Sequence, residues 1–347
     1  MRVWSFGRLV VVRVWSLAGR RWVFGDWGRT VARIRLAVNY FCMPELPEVE
    51  TIARGLARRV NGDVIESVWL GSKPEPLKSP ASEIAAALES SRIVDVRRVG
   101  KHIVFDLESE GRAGKTPAAD RLRLGSLAKR AVVSAKVGGG ARPTPALTPS
   151  KAQWIVHLGM TGRMLVCEAA AEIAKHTHAV AKLASGRELR FVDPRRFGRL
   201  SVSHDFEASG SEPLEVELER FVGLFHGRKT PIKSALLNQN LLSGVGNIYA
   251  DESLFRAAIR PRRRAASLTR GDLRRLYLAV QEVLKEAIAL GGSSVSDYVD
   301  ADGEEGFFQL RHRVYGREDE PCLVCKTAIK RVVNAGRSSH YCPKCQK

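Results

Sequence analysis

The stretch "FCMPELPEVET", residues 41–51, places two prolines and three glutamates directly after an internal methionine, Met43. Pro47 suits the first position of a helix, where a missing N–H is not needed. Glu48 and Glu50 favour the positive end of the helix dipole. Val49, Ile52, Leu56 and Val60 then recur at helical spacing and form one apolar stripe. A packed helix therefore begins near Pro47, with Pro44 and Glu45 on a short extended lead ahead of it.

That lead carries chemistry only if the working chain starts there. Inside a chain, Pro44 is a tertiary amide and inert. If Met43 is the initiator and is removed, Pro44 becomes a secondary amine, and α-amino groups sit near pKa ~7.7–8.0 before any tuning. Such an amine can attack a sugar carbon bearing a base and form an iminium, a covalent intermediate that eases later bond breaking. Glu45 beside it is placed to act as acid or base. Residues 1–42 alternate Val, Trp and Arg, without the architecture of a secretory signal. Their arginines faintly resemble an organelle transit peptide; a start codon placed too far upstream accounts for them more simply.

The chain has 347 residues, room for two ordinary domains, and its 44% hydrophobic and 27% charged content is that of a globular protein. No run approaches the ~20 apolar residues of a membrane span. Lys and Arg total 56 against 37 Asp and Glu, a net +19, and nucleic acid is the usual partner of such an excess. Residues 1–42 hold eight Arg and one acid, so they carry +7 and leave the rest at +12. The partner inferred from charge does not depend on them.

Strand-like runs follow the first helix at 63–70, 92–100, 101–108, 153–166, 178–185 and 188–193, with a helix over 82–90. Short alternating strands at such spacing predict a β-sandwich or barrel-like domain over 44–205. Residues 109–150 interrupt it with six Gly, four Pro, eight basic and two acidic residues and no aromatic. This composition cannot offset its own ordering entropy, which predicts a disordered basic insertion. "DFEASGSEPLE" (205–215) reads as a connection. Helical patterns then fill 212–314, the longest opened by Thr269 with Asp272 three residues on, an approximate cap.

Residues 315–347 hold Cys322-x2-Cys325-x16-Cys342-x2-Cys345. Two close thiolate pairs around a hairpin-length segment satisfy one tetrahedral zinc. A redox pair or an iron–sulfur cluster are the alternatives, but no thioredoxin-like βαβ pattern surrounds these residues. Four protein ligands leave no open position, so this zinc is structural. Only Cys42 and Cys167 lie elsewhere, which argues against a secreted disulfide framework and for a reducing compartment, the cytoplasm. In "LLSGVGNIYADESLF" (241–255), two glycines precede a new helix. Amides at such a start bind phosphate, with Asn247 as a further donor, although an ordinary tight connection has the same pattern.

"MPELPEVET", "HLGMTGRM", "DPRRFG", "GVGNIYADESLF", "VYGR" and "GRSSHYCPKCQK" occur in order between Met43 and Lys347, and together they resemble the bacterial formamidopyrimidine-DNA glycosylase family. The resemblance implies an α+β, bilobal enzyme. Its parts are an N-terminal β-sandwich with flanking helices, a C-terminal helix–two-turn–helix domain, and a zinc-binding β-hairpin. It implies a monomer that excises oxidised purines such as 8-oxoguanine from double-stranded DNA and then cleaves the strand as an AP lyase. Pro44 would be the nucleophile, Glu45 the general acid/base supported by Glu48, and Lys101 a phosphate contact that assists the chemistry. His157, Asn247, Tyr315, Arg331 and Arg337 fall where the family grips phosphates. Met160, Arg195 and Phe197 match residues that fill the hole left by the extruded base. Residues 293–308 match its loop over the flipped base, and Cys322, Cys325, Cys342 and Cys345 its zinc ligands. Alone, Lys101 would be a solvated strand-edge lysine, and Met160 and Phe197 core residues. The extension and the insertion depart from the family pattern. Competing readings are the endonuclease VIII type, against which Leu46 speaks, and a lesion-binding protein that does not cleave.

Overall fold

The computed structural model describes residues 2–6, 9–14, 21–23, 43–73, 75–109, 150–293 and 306–347. Its two separate units are Met1–Tyr40 and Phe41–Lys347. In the first, β1 (Arg2–Phe6), β2 (Leu9–Val14) and β3 (Arg21–Val23) pair antiparallel in that order. The predicted disordered insertion, apart from its two ends, and most of the loop matched at 293–308 lie outside the described residues.

The second unit opens with α1 (Leu46–Val60), one residue earlier than Pro47 suggested, so that proline is its second residue. All four stripe residues, Val49, Ile52, Leu56 and Val60, are buried. Each such burial is worth roughly 1.5–3 kcal/mol, and together they fix the helix on the sheets. The strands form two four-stranded antiparallel sheets rather than a closed barrel. One orders β4 (Ile65–Leu70), β9 (Thr177–Leu183), β10 (Arg187–Val192) and β8 (Arg163–Glu168). The other orders β11 (Arg199–Ser203), β7 (Ser150–His157), β6 (His102–Ser109) and β5 (Ser91–Val99). Phe105, Trp154, Met164, Leu189 and Phe191 from both sheets share one core with α1 and α2 (Ala81–Leu88).

Two details differ from the expectations. The run 153–166 is two strands in different sheets, because residues 158–162 turn sharply between β7 and β8. The short strand β11 (Arg199–Ser203) lies outside the expected runs, although its sequence RLSVS alternates polar and apolar residues. The insertion leaves the sheet intact, since Ser109 and Ser150 at its two ends are register partners of β6 and β7.

The helical lobe holds α3 (Leu218–Phe225), α4 (Ile232–Leu236), α5 (Asn247–Arg256) and α6 (Arg270–Ala289). The Thr269 cap forms as expected: its hydroxyl accepts the Asp272 amide at 3.1 Å, and Asp272 Oδ2 accepts the Thr269 amide at 3.1 Å. The segment 231–242 is helical only to Leu236. Beyond it Gln239 stabilises a turn, donating to Leu237 O and Val245 O and accepting from Gly244 N. The chain ends in the hairpin of β12 (Lys330–Asn334) and β13 (Arg337–Tyr341). Leu46, the first residue of α1, belongs to the core of the helical lobe rather than of the sandwich, and its amide donates to Gly244 O at 3.1 Å. The start of α1 is therefore the joint between the lobes. Among the described residues, no helix is long and apolar enough to cross a membrane.

Candidate active site and nucleic-acid interface

The extended lead and the first turn of α1 put three of the expected site residues, Pro44, Glu45 and Glu48, at that joint. Met43 and Pro44 are half-buried, while Glu45 and Glu48 are almost fully buried. The Glu45 carboxylate crosses between lobes to the N-terminus of α5, where Oε1 accepts the Ile248 amide at 3.2 Å. At the helix start read from sequence as a phosphate cradle, the Ile248 amide therefore faces this carboxylate, a use of the helix terminus that follows the same electrostatics. Gly246 is required there by space: a Cβ would lie 2.1–2.5 Å from the Glu45 carboxylate atoms. Burial raises the Glu45 pKa from 4.5 to about 7, against the lowering influence of the Lys101 charge. The nearby Glu48 charge adds to the rise. Lys101 is itself largely buried, in the turn between β5 and β6.

Glu48 plays a different part. Its Oε2 accepts the Glu45 amide at 2.9 Å, and its Oε1 accepts the Ser293 amide at 2.7 Å and the Tyr249 hydroxyl. Burial raises its pKa too. It holds the backbone amides of Glu45 and Ser293 rather than reaching outward.

His157 closes β7, and its Nδ1 accepts the Gly159 amide at 3.1 Å. Burial, then the neighbouring His102, Arg199 and Lys101, lowers its pKa from 6.5 to about 4, so the ring is neutral at pH 7. With Nδ1 accepting, the ring proton sits on Nε2, a neutral donor suited to a phosphate oxygen. Met160 is half-buried in the next turn. Arg195 and Phe197 stand exposed after β10, with the guanidinium carbon 4.8 Å from the centre of the Phe197 ring. Phe197 keeps half its surface exposed, unlike a core residue.

Arg331 and Arg337 are exposed on the hairpin. Asn247 is half-buried, and its side-chain amide donates to Ser338 Oγ at 3.3 Å, tying α5 to β13. Tyr315 is buried, stacked edge-on between His312 and His340. The four cysteine sulfurs lie within 4.8 Å of one another, with Cys322–Cys345 at 3.9 Å and Cys325–Cys342 at 3.4 Å. A zinc tetrahedron with Zn–S ~2.3 Å has edges of about 3.8 Å, so the donors fit. Zinc there cross-links the two halves of the module, which otherwise rests on a small apolar cluster around Val314 and Ile329.

The residue reading missed several buried acids that hold these parts. Glu252 accepts the amides of Arg313, Val314 and Tyr315 at 2.8–3.0 Å. Asp251 pairs with Lys233 at 2.7 Å and accepts the His340 amide at 2.8 Å, fastening the hairpin to α4 and α5. Glu212 accepts from Arg98 and from the Gly100 amide at 2.7 Å, fixing the turn that carries Lys101. Two consecutive acids inside an apolar helix, "ADES", were the available signal, since such groups are buried only when paired.

Three family models match the chain: the formamidopyrimidine-DNA glycosylase N-terminal domain over residues 43–200, its H2TH domain over 210–299, and the zinc finger found in FPG and IleRS over 319–347. A formamidopyrimidine-DNA glycosylase of Solibacter usitatus is 41% identical over 315 residues, covering 88% of this chain and 100% of that protein. One from Nocardia farcinica is 38% identical, covering 88% and 98%. The crystal structure of the MutM (FPG) protein of Thermus thermophilus matches with TM-score 0.68 and 38% identity, covering 87% of this chain and 98% of that one. A Lactococcus lactis FPG mutant in complex with Fapy-dG DNA matches with TM-score 0.71 and 28% identity, covering 88% and 100%. With three consecutive domains matched over the residues that build this site, the chain belongs to the formamidopyrimidine-DNA glycosylase family.

Proposed function

We propose that this chain, acting as a monomer, excises oxidised purines from duplex DNA and then cleaves the strand, with the amine of Pro44 as nucleophile after loss of Met43. The observation that carries the reading is the placement of Pro44 beside Glu45, whose buried carboxyl has a pKa of about 7. A group poised there holds its proton as an acid and releases it as a base near neutral pH. The neutral amine adds to C1′, the C1′–N bond breaks, and the base leaves with the bonding electrons and takes up the proton that the amine nitrogen gives up. Glu45 supplies a proton to the sugar oxygen as the ring opens to the iminium. β- and δ-elimination then expel the two flanking phosphates, leaving a one-nucleotide gap with phosphate termini.

Binding rests on phosphate contacts: Lys101, neutral His157, Asn247, Tyr315, Arg331 and Arg337 supply donors, and affinity falls steeply with salt. Met160, Arg195 and Phe197 fill the vacated stack, the exposed Phe197 ring as the wedge and Arg195 bonding the orphaned base. Relatives solved in complex with Fapy-dG DNA, abasic-site DNA and carbocyclic 8-oxo-G DNA support the substrate class. Zinc, when bound, supplies a rigid hairpin and no catalysis.

The test is borohydride trapping on 8-oxoguanine and thymine-glycol duplexes, using protein that begins at Pro44. A covalent adduct on the 8-oxoguanine duplex, absent when residues 1–43 remain attached, is the expected result. Trapping by the full-length chain would overturn the role of Pro44, and preference for thymine glycol would overturn the substrate.

A further inference from the structure

The wedge residues Met160, Arg195 and Phe197 stand on two separate turns, and one buried carboxylate joins them. Asp193 is fully buried. Its Oδ1 accepts from Thr161 Oγ1 at 2.6 Å and from the Arg195 amide at 3.2 Å. Its Oδ2 accepts from the Gly198 amide at 2.7 Å. The Asp193 main chain is held as well, with its amide donating to His176 O at 3.0 Å and its carbonyl meeting His178 Nε2 at 2.9 Å. The two turns also touch backbone to backbone. A Cβ on Gly159, whose φ is +65°, would sit 2.6 Å from Gly198 N and from the Phe197 carbonyl carbon. Between the bonded positions, Arg196 adopts φ 57°, a conformation uncommon outside glycine.

We propose that Asp193 is a positioning residue for extrusion of the damaged nucleotide. It locks the turn 158–162 and the turn 193–198 into one body, so that Met160, Arg195 and Phe197 enter the duplex together. This rests on the wedge reading of those three residues. A side chain pushed between stacked bases meets an opposing force, and a turn that yields returns the base to the stack. A body braced by three hydrogen bonds transmits binding energy into unstacking instead. The chemistry calls for an acid: three donors converge on two oxygens, and no neighbour needs a donor in return. Asparagine would set its NH2 against the Gly198 amide or against the Thr161 and Arg195 donors.

The test uses zinc-loaded protein beginning at Pro44 and compares Asp193→Asn and Thr161→Val with Met160→Ala and Phe197→Ala. Each acts in single turnover on an 8-oxoguanine duplex and on a duplex with a preformed abasic site, which has no base to unstack. 2-Aminopurine beside the lesion reports unstacking. Asp193→Asn is expected to slow excision and the 2-aminopurine rise about 10-fold, while abasic-site cleavage changes less than about 3-fold. Thr161→Val, which removes one donor and guards against misfolding of the first variant, is expected to show the same split more weakly. Equal loss on both substrates overturns the proposal, as does full excision by Asp193→Asn when Met160→Ala and Phe197→Ala lose it. Full excision by the two alanine variants overturns the wedge reading itself, and the proposal with it.

Discussion

The carboxylate of Glu48 accepts the backbone amide of Ser293 at 2.7 Å across 245 residues of sequence. Its second oxygen holds the amide of Glu45 at 2.9 Å. One acid on α1 thus anchors both the residue bearing the proposed general acid and Ser293, beyond the end of α6.

Glu48→Gln should destabilise the fold and slow excision together. Three donors meet this carboxylate, and an amide would turn its own NH2 towards at least one of them, a loss of about 1–3 kcal/mol. Tyr249→Phe removes a single donor and should cost roughly 1 kcal/mol. Urea unfolding with single-turnover excision checks both, and wild-type stability in Glu48→Gln would contradict the assigned role.

Gly246→Ala should be severe, because its Cβ would overlap the Glu45 carboxylate at 2.1–2.5 Å. Overpacking of this kind costs roughly 1–3 kcal/mol, and displacement of the acid by a few tenths of an ångström should lower the rate well beyond that. Gly223→Ala in α3 is the control, since a Cβ there meets nothing within 4 Å. It should be neutral or stabilising by about 0.5–1 kcal/mol.

The pH dependence follows from Glu45. Its folded pKa of about 7 exceeds the ordinary 4.5, so the fold is favoured when the proton is bound. That contribution is complete below about 4.5 and is lost as pH rises through about 7. Excision that uses the protonated acid should fall over the same upper range, while the need for a neutral Pro44 amine lowers the rate on the acid side. Lys101→Ala should move the upper limb to higher pH, because the lysine charge holds the Glu45 pKa down. His157, with a pKa of about 4, should add no limb between pH 6 and 8 in DNA binding. Rate–pH and affinity–pH profiles of the variants measure these shifts.

Chelation of zinc should release the β12–β13 hairpin and leave the sandwich folded, because the two have separate cores. Structural zinc contributes about 10–16 kcal/mol in comparable small modules. Loss of the phosphate contacts from Arg331 and Arg337 should reduce the slope of log affinity against log salt by about 2. Circular dichroism and salt titrations of the apo and zinc-restored protein decide it.

Much of this architecture was legible because it is written in local periodicity and local chemistry. The stripe from Val49 to Val60 names the buried face of α1, Thr269 and Asp272 name a helix start, and two C-x-x-C pairs name a metal module. Reading failed where one stretch served two neighbours. Residues 153–166 looked continuous because both halves are rich in apolar residues, yet the turn at 158–162 sends them to different sheets. At 244–246 the sequence left a phosphate cradle and an ordinary tight connection equally open in pattern, and the tertiary structure turns the Ile248 amide towards Glu45.

The sequence by itself determined which residues carry chemistry, since amine, carboxylate, guanidinium and thiolate each have intrinsic reactivity and a motif to sit in. Only the tertiary structure decided their protonation and their aim. Removing Glu45 from water and setting it between Lys101, Glu48 and the start of α5 requires both lobes at once. Desolvation and charge–charge energies depend on distance in space, and no spacing along the chain contains that distance.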